Sequence, residues 1–212
     1  MAEPIKITLL GQSGVGKTSI FSRICAREPP VGPTVGVEFA TVFVREFELR
    51  VQIWDTAGME RFAPVTDVCL RNSAAILLVY AVDDTRSFDA LATRWLPFVE
   101  KERATRVARH ALQPLVFVVG NKNDLTGGAH LTACDTERAW AHTIGAVHVT
   151  TTTTAASSIN MLFVDTVCHA LAQIPSMRRH TTQMAHEDLS LSIFADDDDD
   201  DDDRREKSGH CC

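Results

Sequence analysis

The sequence predicts an α/β fold in which helices flank a mostly parallel sheet. From residue 5 to about 173, short β-branched runs alternate with amphipathic stretches, the order that parallel strands joined by crossover helices require. Two of those runs, Ala74 to Val82 and Leu115 to Val119, are almost continuously apolar, as central strands covered on both faces must be. Between the first strand pattern and the first helix pattern lies the run Gly11-Gln12-Ser13-Gly14-Val15-Gly16-Lys17-Thr18.

In chain order, Ile5 to Leu10 reads as a strand and Lys17 to Ala26 as the helix after it. Phe39 to Val44 and Leu49 to Trp54 alternate at period two around Glu46-Phe47-Glu48, which predicts an antiparallel hairpin at the sheet edge. Ser87 to about His110 reads as a long helix that Pro97 should end or kink, because proline has no N–H and crowds the preceding turn. Asp135 to Ile144, Ala146 to Val149 and Ser158 to Ala172 complete the helix–strand–helix alternation, and Pro175 should stop the last helix.

The chain thus divides into a folded domain, 1–175, and a tail, 176–212. Met177 to Ser208 is rich in Arg, His, Thr, Asp and Ser and offers too little apolar surface to offset the entropy of ordering it. A flexible linker is expected there. Its one apolar patch is Leu189-Ser190-Leu191-Ser192-Ile193-Phe194, either a docking segment or an incidental cluster.

With 45% hydrophobic and 23% charged residues among 212, the composition is that of an ordinary globular protein. No apolar run reaches the roughly 18 residues that a spanning helix needs. Met1-Ala2-Glu3-Pro4 lacks both a secretory pattern and a glycine at position 2, so the cytosol is the expected compartment. The net charge of −7 comes from one feature, the unbroken acidic run Asp196 to Asp203; the remaining 20 acids nearly balance 21 Lys and Arg. No nucleic-acid surface is expected from that balance. Cys25, Cys69, Cys134 and Cys168 are scattered, with no Cys-x-x-Cys pair, and read as reduced core residues.

Gly11-x-x-x-x-Gly16-Lys17-Thr18 has the spacing of a phosphate-binding loop, in the strand–loop–helix setting that the motif requires. Glycines let the backbone wrap a phosphate chain with N–H groups of Ser13, Gly14, Val15, Gly16 and Ser19 turned inward, and the helix N-terminus adds partial positive charge. Lys17 should reach the β- and γ-phosphates and the Thr18 hydroxyl should ligate Mg²⁺. This loop alone leaves ATP and GTP both open. Asn121-Lys122-Asn123-Asp124 comes after the strand Leu115 to Val119, at the carboxyl edge where open α/β sheets bind ligands. A carboxylate at Asp124 accepts from both N1–H and N2–H₂ of guanine, a donor pair that adenine lacks. Asn121 should brace the neighbouring loops and the Lys122 stem should cover the base. ATP is thereby excluded and GTP or GDP expected.

Trp54-Asp55-Thr56-Ala57-Gly58 closes the third strand pattern. Asp55 can hold Mg²⁺ through a water, and Gly58 lets a backbone N–H approach the γ-phosphate. Thr34, in Pro33-Thr34-Val35-Gly36, is the natural second hydroxyl for the metal. Contacts that need the γ-phosphate make these two segments an order–disorder switch.

Together these residues resemble the Ras-like small GTPases and, within them, the Rab branch of intracellular membranes. The likeness also runs through Val35-Gly36-Val37-Glu38-Phe39, Glu60-Arg61-Phe62, Leu78-Val79-Tyr80 and Ser87-Phe88. The terminal Cys211-Cys212 is similar to the doubly geranylgeranylated Rab ending and is not a C-a-a-X box. The resemblance implies the P-loop NTPase small-GTPase fold, six strands with five helices, and a monomer. It implies an exchange factor, an activating protein, an escort protein with its geranylgeranyl transferase, a dissociation inhibitor, and effectors that read the GTP form. The expected location is the cytosolic face of an intracellular membrane, with a soluble cytosolic pool, and the expected role is vesicle trafficking.

Four departures from the family pattern bear on function. Met59 stands where the family has the glutamine that orients the attacking water, and a thioether cannot donate a hydrogen bond. Slow intrinsic hydrolysis is expected, with stimulated turnover surviving if an activating protein supplies Arg and Gln in trans; the alternative is a constitutively GTP-loaded scaffold. The stretch Thr18 to Thr34 is about two residues short and lacks an aromatic between Phe21 and Phe39, which favours faster nucleotide release. Counting back from Ile159 and Leu162-Phe163 puts the family's second guanine loop at Thr152-Thr153-Thr154. Finally, eight Asp near a lipid anchor oppose an anionic leaflet, where basic residues would add about 1 kcal/mol each.

Overall fold

The computed structural model describes residues 4–28, 34, 36–56, 63–126 and 130–178. The strands are β1 (Ile5–Leu10), β2 (Val37–Val44), β3 (Leu49–Thr56), β4 (Ala75–Ala81), β5 (Leu115–Asn121) and β6 (Val147–Thr150). They form one sheet in the order β2-β3-β1-β4-β5-β6. All neighbours pair in parallel except β2 and β3, which form the expected hairpin. A single 3₁₀ turn, Arg45–Phe47, connects that pair, followed by Glu48 at φ 51°.

Five main helices pack on this sheet: α1 (Lys17–Ile24), α2 (Ala63–Leu70), α3 (residues 85–108), α4 (His130–Thr143) and α5 (residues 156–172). The order and alternation agree with the sequence expectation, with ends shifted by a few residues. Helix α2 has no counterpart in the sequence pattern. Its Val65 and Val68 face solvent while Thr66, Cys69 and Leu70 are buried, so no apolar stripe marks the helix.

Pro97 does not end α3. The helix runs through a wide π turn, Leu91–Trp95, and resumes as an α-helix at Leu96–Ala108. A proline cannot donate to the carbonyl four residues back, and the wide turn just ahead of it takes up the mismatch. Trp95 and Val99, on either side of Pro97, are both buried against the sheet, which fixes the helix across the break. Pro175 likewise stands at the start of a further short helix, Pro175–Arg178 (α6), after α5 has ended at Ala172. Proline at a first helical position loses no hydrogen bond, and Met177 packs against the core.

The central strands show why their sequence is continuously apolar. In β4, Ala75, Leu77, Val79 and Ala81 join the core under α1 and α5, while Ile76, Leu78 and Tyr80 join the core under α3 and α4. In β5, Phe117 and Val119 face the first core, Val116 and Val118 the second. Each buried Val, Leu, Ile or Phe among them contributes about 1.5–3 kcal/mol relative to exposure. Both layers hold the carboxyl ends of β1, β3, β4 and β5 on one rim, where the loops of interest emerge.

Candidate functional site

The loop between β1 and α1 is shaped by glycine. Gly11, Gly14 and Gly16 have φ values of 148°, 81° and 95°. A Cβ at Gly11 would sit 2.1 Å from the Val79 carbonyl oxygen, and one at Gly16 would sit 2.2 Å from Asn121 Nδ2. Ser13 and Gly14 are exposed at the loop tip, whereas Val15 is buried beneath it. Lys17 opens α1 and is buried; its Nζ donates to the Gly11 and Gln12 carbonyl oxygens at 2.8 and 2.9 Å. The ammonium therefore spans the mouth of the loop, and Ser19 sits in the first turn of the helix that the loop feeds.

Three sequence-predicted metal residues meet beside it. The Thr18 hydroxyl donates to Asp55 Oδ2 at 2.6 Å and is in short hydrogen-bond contact with the Thr34 hydroxyl. Asp55, near the end of β3, is fully buried, and its Oδ1 has no hydrogen-bond partner among the described residues. Burial pushes the Asp55 carboxyl up; the Thr18 bond, the Lys17 charge and the Thr34 bond draw it back toward the ionised form. Two hydroxyls and a carboxylate with an unused buried oxygen suit a hard divalent cation that takes oxygen ligands and keeps several waters. The residues present fit Mg²⁺.

At the other end of the rim, Asn121 Nδ2 donates to the Val15 carbonyl at 2.9 Å, so the bracing expected of it is present. Lys122 has φ 64°, which turns the chain out of β5. Thr152 Oγ1 donates to Asp124 Oδ1 at 2.5 Å, and the Thr154 backbone N–H donates to Thr152 Oγ1 at 3.2 Å. The Asn121–Asp124 segment and the Thr152–Thr154 loop, 28 residues apart at Asp124 and Thr152, are thus one surface.

Sequence reasoning missed two supports of that surface. Ser158 Oγ accepts from the Thr152 backbone N–H at 3.0 Å and contacts the Thr151 hydroxyl at 3.1 Å. Arg23 Nε, on α1, donates to the Thr153 carbonyl at 3.0 Å. The Arg23 contact spans 130 residues and leaves no local pattern; the Ser158 contact is local, six residues from Thr152, but no motif singles that serine out. Gly120 does carry a readable signal: a Cβ there would fall 2.7 Å from the Tyr80 hydroxyl.

Gly58, Met59, the Asp196–Asp203 run and Cys211 and Cys212 lie outside the described residues. Beside the site, Phe39 of β2 stacks on Trp54 of β3 with centroids 5.2 Å apart, and Lys6 Nζ lies 3.8 Å over the Trp54 ring. Phe39 is 55% exposed.

A family model described as the Ras family matches residues 6–172. The chain is 36% identical over 140 residues to the GTP-binding protein ypt3 of Schizosaccharomyces pombe, a match that covers 64% of this chain and 60% of that protein. It is 30% identical to the Ras-related protein Rab-25 of Bos taurus over 84% of this chain and 81% of the relative. The Homo sapiens Rab-25 matches at the same identity over 83% and 80%.

Proposed function

This chain belongs to the Ras family of small GTPases, in its Rab branch, and from that premise we propose that it is a membrane-anchored switch of vesicle traffic with slow intrinsic turnover. As a member of the family it binds GTP and GDP with Mg²⁺ and hydrolyses GTP. The observation that supports the switch is the meeting of Thr34 with Thr18 and Asp55. Thr34 itself lies in neither a strand nor a helix and is held here through hydroxyl contacts that a metal-bound nucleotide would share, so a ligand at this point bears on where Thr34 sits.

In this reading the loop N–H groups of residues 13–19 cradle the phosphates and Lys17 balances charge as it shifts toward the leaving oxygens. Thr18 and Thr34 offer hydroxyls to the metal and Asp55 orients its water. Mg²⁺ held by these residues would supply charge neutralisation on the phosphates. The Gly58 N–H meets the γ-phosphate. Asp124 selects guanine, the Lys122 stem covers the base, and Thr152, Thr153 and Thr154 close over it. Phe39 and Trp54 offer an apolar surface to effectors that read the GTP form. An exchange factor and an activating protein set the cycle; an escort protein with its geranylgeranyl transferase and a dissociation inhibitor handle Cys211 and Cys212. Two lipid chains give the stable anchoring that one does not.

Met59 is the residue that slows the chemistry, and it also supports the second reading, a GTP-loaded scaffold with negligible hydrolysis. Single-turnover hydrolysis decides. The Met59→Gln variant should hydrolyse GTP faster than the native chain without an activating protein, and equal basal rates would remove the argument. An activating protein that leaves the native rate unchanged would favour the scaffold. Imaging of the Cys211→Ser/Cys212→Ser chain beside the native one tests the anchor, the expected result being loss of membrane signal.

A further inference from the structure

Among the described residues, one long strand of the sheet has an unpaired edge. β2 is outermost, and β3 is its one pairing partner among those residues. It is eight residues long, has Glu38 as its one charged side chain and contains neither Lys nor Pro. Its register with β3 is continuous from Val37↔Thr56 to Val44↔Leu49, so it carries no bulge. Edge strands are ordinarily blunted by charges, Pro or bulges; β2 has only Glu38 near its start, paired with Arg27 at 3.0 Å, and nothing of the kind from Phe39 to Val44. On its solvent face Phe39 and Phe43 are 55% and 43% exposed, with exposed Thr41 between them.

The course of the chain indicates what covers this edge. His169 of α5 lies edge-on to Phe47 at 5.7 Å. Val42, Phe47, Ile174 and Met177 all pack against the same core. The described chain therefore ends nine residues beyond His169, the residue that touches Phe47 in the β2–β3 turn. The ten residues 179–188 can span roughly 35 Å, against about 26 Å for the whole of an eight-residue strand. Directly after them comes Leu189-Ser190-Leu191-Ser192-Ile193-Phe194, uncharged and free of Pro and Gly, with the period-two alternation of a half-buried strand.

We propose that residues 189–194 add to the free edge of β2 as a seventh strand, with Leu189, Leu191 and Ile193 against Phe39 and Phe43. Main-chain hydrogen bonds supply the affinity and the alternate side chains the register. The tether raises the local concentration of the segment to the millimolar range, so six residues suffice where a free peptide would not. Because Phe39 belongs to both surfaces, the docked tail and an effector exclude one another; that consequence rests on the effector reading above, whereas the contact itself does not.

Amide hydrogen exchange on the full-length, GDP-loaded chain tests the contact at two protein concentrations. The comparison is among the native chain, Leu191→Asp/Ile193→Asp and Ser190→Pro/Ser192→Pro, all substituted outside the described fold. Peptides covering residues 37–44 should exchange at least about fivefold faster in both variants than in the native chain. Equal exchange in all three overturns the proposal. Protection lost only in the Asp variant also overturns it, because apolar contact would then suffice without strand pairing. Protection that grows with concentration and survives both variants assigns the edge to a second copy of this chain and overturns it too.

Discussion

Asn121 donates its side-chain amide to the Val15 carbonyl at 2.9 Å across 106 residues of sequence. That bond joins the phosphate loop to the loop carrying Asp124, and Gly16 has no side chain because Asn121 Nδ2 occupies the space. The Asn121→Ala variant leaves a buried carbonyl without its partner, at a cost of about 1–3 kcal/mol. Both loops loosen together, so GDP affinity should fall about tenfold or more, in step with a lower thermal midpoint. Unchanged GDP release in this variant would mean that the two loops are held independently.

Two glycines of the same loop should respond unequally to alanine. At Gly11 the new Cβ meets the Val79 backbone 2.1 Å away, whereas at Gly14 it meets nothing within 4 Å. Both have positive φ, a cost of about 1–2 kcal/mol for an L-residue. Gly14→Ala should therefore lower the thermal midpoint by a few degrees, and Gly11→Ala should lower it much further by forcing β1 from β4. Equal losses would contradict the close approach of Gly11 to Val79.

Range of interaction decides what a sequence discloses here. The β4 run Ala75–Ala81 is readable because burial on two faces leaves a local mark, and the Gly11–Thr18 loop because a phosphate cradle needs residues close in sequence. Helix α2 is not readable, since its buried side chains include Thr66 and Cys69 and its valines point outward. Thr18, Thr34 and Asp55 are assigned one by one from their motifs, and the fold brings them within hydrogen-bond reach. Arg23 leaves no trace because its partner Thr153 lies 130 residues away; Ser158, six residues from Thr152, leaves none because serine is common at helix starts and the sequence does not mark its partner. Pro97 is read correctly as a disturbance but not as an end: the helix widens into a π turn just ahead of it, and the burial of Trp95 and Val99 carries the helix across.

The buried thiols give the fold an alkaline limit. Burial raises the Cys25 thiol from its ordinary 9.0 to about 11, and burial moves Cys168 in the same direction. The folded chain holds these protons where the unfolded chain has released them. Their contribution is thus fully present below pH 9 and is lost as pH rises toward 11 and beyond. Stability therefore falls with rising pH in this window, and each raised thiol steepens the fall. Urea midpoints taken from pH 8 to pH 10.5 should fall less steeply for Cys25→Ala than for the native chain. Parallel slopes would show that Cys25 is not linked to folding in that window.

Arg23 should set the residence time of the nucleotide. Its Nε donates to the Thr153 carbonyl at 3.0 Å, tying α1 to the loop that also bonds Asp124 through Thr152. The contact is exposed, so its net worth is that of an ordinary hydrogen bond, about 0.5–1.5 kcal/mol, which corresponds to between two- and tenfold in a rate. Arg23→Ala should release GDP about threefold faster, followed with a fluorescent analogue, while the thermal midpoint of the nucleotide-free chain barely moves. Arg23→Lys keeps the charge but lacks the planar Nε–H, and it should stay close to the alanine rate. A lysine variant that restored the native rate would make the effect one of charge rather than of this bond. Release within experimental error of native in both variants would show that Thr152–Thr154 is held without help from α1.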